Sequence, residues 1–300
     1  MHILDAVVSA ESPTVKLVFL DEETVLEVTY LNKGDGKDIL VVPTQSSCQL
    51  GCQFCHLTGL NVPVKNLTAD AIVKMVQMSS EELKLNESGN PTLLISYMGA
   101  GEPLMNVGEM VTSAEEIAKT GTHETIRFGV ATLIPGEKPF REFTRRVKES
   151  GLNFKLHWSL HSVDELERRV LMPAALGLTK SAELVAEYAR ETGCATEIHY
   201  TLMADVNDRP QDVAYLSELV KDKGVNIKLL RFSPRKELDV RESERVSIFQ
   251  AMLSLEGFKS EVYSPPGRDI GSSCGQFRLD RYYAQIDNKI GKSKSLPIVA

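Results

Sequence analysis

The sequence predicts an α/β protein, a partial (β/α)6 TIM-like barrel with a small N-terminal β extension. Three observations predict it. Six apolar, β-branched segments alternate with helical ones, the pattern of a parallel sheet with right-handed crossovers. The residues least explained by packing fall just after the strand ends, where a barrel builds its site. At 300 residues, 42% of them hydrophobic and 25% charged, the chain is an ordinary globular one able to bury a large core.

The N-terminal extension is residues 1–37. Its strands, 15–20 and 24–31, are joined at Asp21-Glu22-Glu23 and closed by a Gly/Asp/Lys turn at 32–37. The barrel, 38–265, opens with an apolar strand at 39–43 that leads straight into a cysteine loop. Thr68 caps a helix with Ala71, Ile72, Met75 and Val76 at helical spacing. A strand at 92–98 is broken by Gly99-Ala100-Gly101, and a helix over 107–119 follows. Strands at 125–132, 154–161, 196–203, 225–232 and 258–263 alternate with helices at 137–150, 180–192, 212–223 and 242–257. Residues 266–300 form a C-terminal loop and tail.

No apolar run approaches a membrane span, and the first residues lack the basic and apolar regions of a signal peptide. A cytoplasmic location is expected. The net charge of −7 opposes nucleic acid globally, so an RNA partner would need a local basic patch. Candidates are Arg141, Arg145, Arg146 and Lys148; Arg231, Arg235 and Lys236; and Lys289, Lys292 and Lys294, although charge runs are usually solvated faces.

Three of the five cysteines crowd into Cys48-x3-Cys52-x2-Cys55. In a chain without an export signal, that favours a metal or redox role over disulfides. A cubane [4Fe-4S] cluster normally takes four cysteines. Three leave one iron open to chelate the amino and carboxylate groups of a small molecule. Zinc is the competing reading. It prefers two separated ligand pairs, and His56 as fourth ligand would be strained by its adjacency to Cys55.

This spacing after the first barrel strand resembles the radical SAM superfamily. The resemblance implies that the open iron holds S-adenosylmethionine, cleaved by one electron to methionine and a 5′-deoxyadenosyl radical. Gly101-Glu102, within Gly99–Pro103, is similar to the superfamily's Gly-Glu motif, which meets the methionine amino group. Further stretches resemble the RlmN/Cfr family of rRNA adenine C-methyltransferases, in the family's order. They are Asn66-Leu67-Thr68, Met98 through Asn106, Ser159-Leu160-His161, Leu171-Met172-Pro173, Val206-Asn207-Asp208, and Gly267 through Gln276.

That resemblance implies a two-stage reaction. Cys274 takes a methyl group from one S-adenosylmethionine. The radical made from a second removes hydrogen from that methyl, and the carbon radical adds to adenine. An aromatic C2 carbon is a poor nucleophile, so polar methyl transfer fails there. By the same carry-over Ser159 and His161 contact S-adenosylmethionine. Ser233 occupies the place of the family's asparagine before Pro234, and Glu27 matches a proton acceptor across a one-residue offset. As a lone acidic residue on a strand, Glu27 otherwise reads as a solvated surface group.

The sequence also departs from the family. The resolving cysteine, seven residues before the cluster motif, is Val41 here, which has no thiol to release a covalent adduct. Cys194, after Gly193, reads as structural. The family's helical RNA-contacting domain has no counterpart ahead of residue 15. The leading expectation is an RlmN-like methyltransferase acting on an RNA adenine, monomeric and reduced by a donor such as flavodoxin or ferredoxin. The alternatives are a radical SAM enzyme with a non-RNA substrate and a non-enzymatic iron-sulfur sensor.

Overall fold

The computed structural model describes residues 1–234, 240–272, 276–277, 279 and 281–284. They divide into two compact units. One comprises Met1–Gln49, Cys55–Gly129 and the described residues from Pro266 on; the other comprises Leu50–Phe54 and Val130–Pro265.

The first unit carries strands β1 (His2–Val8), β2 (Thr14–Asp21), β3 (Thr24–Asn32), β4 (Lys37–Val41) and β5 (Thr92–Tyr97), adjacent in that order. Pairings β1–β2, β2–β3 and β3–β4 are antiparallel, and β4–β5 is parallel. So a meander hands over to a β/α pattern at β4. Helices α1 (Ala69–Glu82) and α2 (Val107–Ile117) pack on one another. Thr68 caps α1 as its sequence predicts, its hydroxyl accepting from Ala71 N at 3.2 Å. Asp38, fully buried at the start of β4, accepts from Tyr30 Oη, Ser88 Oγ and Asn90 Nδ2 at 2.8, 2.5 and 2.9 Å, with His123 Nε2 at 3.1 Å. Burial works to raise its carboxyl, but these hydrogen bonds outweigh it and hold the group below its ordinary value.

Strand β6 (Thr125–Thr132) crosses from the first unit into the second. The second unit then holds β7 (Phe154–Ser159), β8 (Thr196–Leu202), β9 (Asn226–Arg231) and β10 (Ser260–Tyr263), neighbours in that order and all parallel. Its helices are α3 (Glu137–Ser150), α4 (Glu165–Leu171), α5 (Leu178–Thr192), α6 (Pro210–Val220) and α7 (Val246–Leu255). Phe143 sits edge-on to Phe154 of β7 and stacks on Tyr188 of α5, so one face of the sheet carries an aromatic helix-packing core.

Two elements were not expected from the sequence, β1 and α4. Helix α4 is short and begins at Asp164, whose carboxylate accepts from Leu166 N and Glu167 N. Among the described residues no helix is long and apolar enough to cross a membrane.

Candidate functional site

The loop after β4 and the turn after β5 are knitted together backbone to backbone. Ala100 O accepts from Thr44 N at 3.0 Å and Gln45 N at 3.2 Å, and Gly99 N donates to Val42 O at 3.1 Å. A side chain at Gly99 would meet the backbone of Val42 at 2.6 Å and Pro43 at 2.7 Å. Gly101 takes φ +100°, and a Cβ there would meet Gln45 Cβ at 2.7 Å. Glu102 is buried, its N–H donating to Gln45 Oε1 at 2.9 Å and its Oε1 accepting from Leu104 N at 3.0 Å. Asn106 completes the knot by donating to Thr44 O and Leu67 O, each at 2.8 Å. Gly101-Glu102 is thus fixed to the stem of the cysteine loop.

The three motif cysteines are half-buried, and Cys194 is buried. Cys48 and Cys55 pack against Val18, Val25, Leu57, Ala100, Leu279 and Tyr282 of the first unit. Cys52 packs in the second unit against Leu133, Leu171, Met172, Met203 and Phe232. Gln53 N donates to Leu171 O at 2.9 Å, which ties this leg of the loop to the end of α4. Three thiols in apolar surroundings fit a [4Fe-4S] cluster, whose thiolate ligands sit in a shell of low polarity.

In the second unit His161 is buried at φ +53°, just past β7. Its Nδ1 accepts from Thr201 N at 3.1 Å, which fixes the proton on Nε2. Burial, with the charges of His199 and Arg168 adding to it, pushes its pKa down to about 3, so the ring is neutral. Asn207 explains the strained backbone: its Nδ2 donates to His161 O at 2.5 Å and Thr201 O at 2.7 Å, while its Oδ1 accepts from Met203 N. Ser159 is half-buried at the end of β7, and Ser233 is buried two residues past β9. Arg168, missed by the sequence reading, is buried in α4 and donates to Leu160 O, Leu176 O and Leu133 O. One guanidinium therefore ties the loop ends after β6 and β7 together.

Glu27 corrects the sequence expectation. It is 3% exposed, not solvated, because Lys16 Nζ lies 2.7 Å from its Oε2. Cys274 lies outside the described residues, as do Arg235, Lys236, Lys289, Lys292 and Lys294. The α3 basic run is a solvated, charge-matched face. Arg141 pairs with Glu137 and Glu187, Arg145 with Glu142 and Glu149, and Lys148 with Glu191. Arg231 pairs with Glu242 at 2.9 Å.

His157, Glu197 and His199 bring ligand atoms within 4.8 Å of one another. Lys155 and Lys228 ammoniums already lie 2.8 and 3.0 Å from the Glu197 oxygens, so a divalent cation would face two adjacent positive charges. Burial, and then His199, pushes His157 down to about 3. Burial works to raise the Glu197 carboxyl, but hydrogen bonds with His157 and Lys155, with the His199 ring 3.4 Å away, hold it low. The cluster is a carboxylate held by two ammoniums and two neutral imidazoles.

A pH dependence follows. A histidine pushed below its unfolded pKa binds fewer protons when folded, so its stabilising contribution is complete above about pH 6.5 and is lost as pH falls toward 3. His157 and His161 should each cost about 2 kcal/mol of stability by pH 5. Urea unfolding at pH 7, 6 and 5 reads this out. His157→Gln should flatten the profile by about one proton, whereas stability independent of pH over that range would contradict the assignment.

No family model matches the chain. Over 288 residues the chain is 31% identical to a probable dual-specificity RNA methyltransferase RlmN of Thermotoga maritima, covering 94% of this chain and 80% of that protein. It is 30% identical over 291 residues to the dual-specificity RNA methyltransferase RlmN of Caulobacter vibrioides, covering 93% and 70%. Among solved structures, a radical SAM methyltransferase from Sphaerobacter thermophilus superposes with TM-score 0.79 at 24% identity, over 93% of this chain and 81% of that one. That likeness bears out the expected partial α/β barrel.

Proposed function

Since the chain belongs to the RlmN family, we propose that it is a radical S-adenosylmethionine methyltransferase that delivers a methyl-derived carbon from Cys274 to an RNA adenine carbon. The observation that carries the reading is the knot between the cysteine loop and Gly99–Glu102. It joins a three-thiol cluster loop to a buried acidic turn of the kind that takes an ammonium group.

Cys48, Cys52 and Cys55 would hold the [4Fe-4S] cluster. When bound there, the cluster supplies the electron that cleaves S-adenosylmethionine to methionine and a 5′-deoxyadenosyl radical. The Gly101-Glu102 turn receives the methionine amino group. Ser159, Ser233 and the fixed Nε2–H of His161 orient the rest of the molecule as donors. Apolar side chains packed beside each cysteine keep the local polarity low. In the first half-reaction the Cys274 sulfur attacks the sulfonium methyl. Its S–CH3 bond forms as the old one breaks, and S-adenosylhomocysteine leaves. Glu27, buried and paired with Lys16, is the candidate proton acceptor.

The second reading, a non-RNA substrate on the same scaffold, is not favoured by the relatives and rests on one sequence departure. Position 41, paired with Thr29 and Ser96 in β4, is valine and offers no resolving thiol. The reading is completed by a reducing donor of the flavodoxin or ferredoxin class, a monomeric state and a cytoplasmic setting that keeps thiols reduced.

The test is anaerobic. Enzyme with its cluster reconstituted is given reductant and S-adenosylmethionine, with and without total cellular RNA. Methylated Cys274 in peptide mass spectra and RNA-dependent release of deoxyadenosine are expected. A Cys274 that never gains 14 mass units (about one CH2 in net) would remove the carrier role. Deoxyadenosine release indifferent to RNA would favour the second reading. Val41→Cys should raise turnover if product release stalls at the adduct.

A further inference from the structure

The described part of the C-terminal segment is docked on the N-terminal meander by specific polar contacts. Asp269 accepts from Ser9 Oγ at 2.7 Å and from Ala10 N at 2.9 Å. Gly267, at φ +69°, lies so close to β2 that a Cβ would meet Thr14 Cγ2 at 2.7 Å. Tyr282 Oη donates to Asp5 Oδ2 at 2.7 Å, and Val25 N donates to Tyr283 Oη at 3.1 Å. The innermost contact is of a different kind. Lys16, 1% exposed, donates from Nζ to Gly271 O at 2.7 Å and to Glu27 Oε2 at 2.7 Å, with the Phe277 ring 5.8 Å away.

A buried lysine is costly unless paired and hydrogen-bonded. Here β2 and β3 supply the pair themselves. Lys16 is opposite Thr29, so Glu27 is its diagonal neighbour on the same face of the antiparallel pair. The pair does not serve the two strands alone, because Lys16 also reaches 255 residues along the chain to Gly271. That carbonyl stands three residues before Cys274.

We propose that Lys16 and Glu27 form a positioning clamp for the segment that leads to the methyl carrier: Glu27 aims the Lys16 ammonium, which fixes the backbone at Gly271, three residues before Cys274 in the sequence. The methyl-carrier half of this statement rests on the proposed function; the clamp itself rests on the contacts above.

The test uses the full chain with its cluster loaded and two readouts. One is hydrogen exchange of the peptide covering 266–277, and the other is methyl occupancy of Cys274 by peptide mass spectrometry. Lys16→Met strands the Glu27 carboxylate in the interior and risks misfolding. The paired variant Lys16→Met with Glu27→Leu removes both charges while keeping apolar packing. In the paired variant, exchange over 266–277 should be about ten- to a hundredfold faster, the change expected on loss of a charge-assisted hydrogen bond. Methyl occupancy should fall with it, and iron content should stay at the wild-type level. Lys16→Arg, which keeps a donor, should recover part of both signals. Wild-type exchange over 266–277 in the paired variant would overturn the clamp. Faster exchange in a protein whose wild-type form never methylates Cys274 would support the clamp and overturn the carrier role.

Discussion

Alanine at Cys52 is expected to strip the enzyme of iron and to end deoxyadenosine formation. The motif offers three thiols and no spare, so losing one leaves two ligands for a four-iron cluster. Cys52 is the leg with the most local support. It packs on Leu171 and Met172 at the end of α4, and its neighbour Gln53 is hydrogen-bonded to Leu171 O. Alanine keeps that backbone contact, so the variant should fold and show the defect in the metal alone. Iron analysis and the visible absorption of the anaerobically reconstituted protein measure it. Cys194→Ala is the control. That thiol is buried after α5, its sulfur 3.9 Å from Thr192 O, and its loss should leave iron content unchanged. Full iron loading of Cys52→Ala would refute the assignment of the cluster loop.

The second large effect is expected from Gly101→Ala. The backbone there is at φ +100°, where an L side chain is strained by about 1–2 kcal/mol. The added methyl would also lie 2.7 Å from Gln45 Cβ and 2.9 Å from Gln45 N, an overpacking that costs about 1–3 kcal/mol more. Relief must come from Gln45, whose Oε1 accepts from Glu102 N. The acidic turn therefore moves with it. A displacement of about 1 Å in a positioning group lowers a rate by about a hundredfold, so deoxyadenosine formation should fall by that order while iron content is retained. Unchanged activity in Gly101→Ala would mean that the turn has no part in binding S-adenosylmethionine.

Much of this was legible in the sequence, and the exceptions share a physical reason. Alternation of apolar strands and capped helices marked β5 to β9 and helices α1, α2, α3 and α5 within a few residues, because each buries a periodic face. Helix α4 was hidden because it exposes Leu166 and Val170, 74% and 69%, and so breaks the expected periodicity. Strand β1 was hidden because it is an edge strand with a mostly exposed pattern. The cysteine motif and the glycine-broken strand end were legible because their chemistry is local. Glu27 was misread because its environment is not local. Its partner Lys16 lies on the neighbouring strand, and only the register of β2 on β3 puts both charges on one buried face. A signal was present all the same: one lysine inside Val15–Phe19 and one glutamate inside Val25–Val28 are single charges in otherwise apolar strands, which together suggest a buried pair. Arg168 escaped because it acts on carbonyls of other segments, and spacing says nothing of carbonyls.

The meander of β1, β2 and β3 is synthesised well before the segment that docks on it. At about 5–20 residues per second, the ribosome leaves Lys16 and Glu27 without the Gly271 carbonyl for roughly ten seconds or more. Contacts separated by 255 to 277 residues are the longest-range ones described in this chain, and loop closure makes such contacts late. Cys48 and Cys55 pack in part against Leu279 and Tyr282 of that later segment, so the cysteine loop gains its full apolar surroundings only once the segment has docked on the meander.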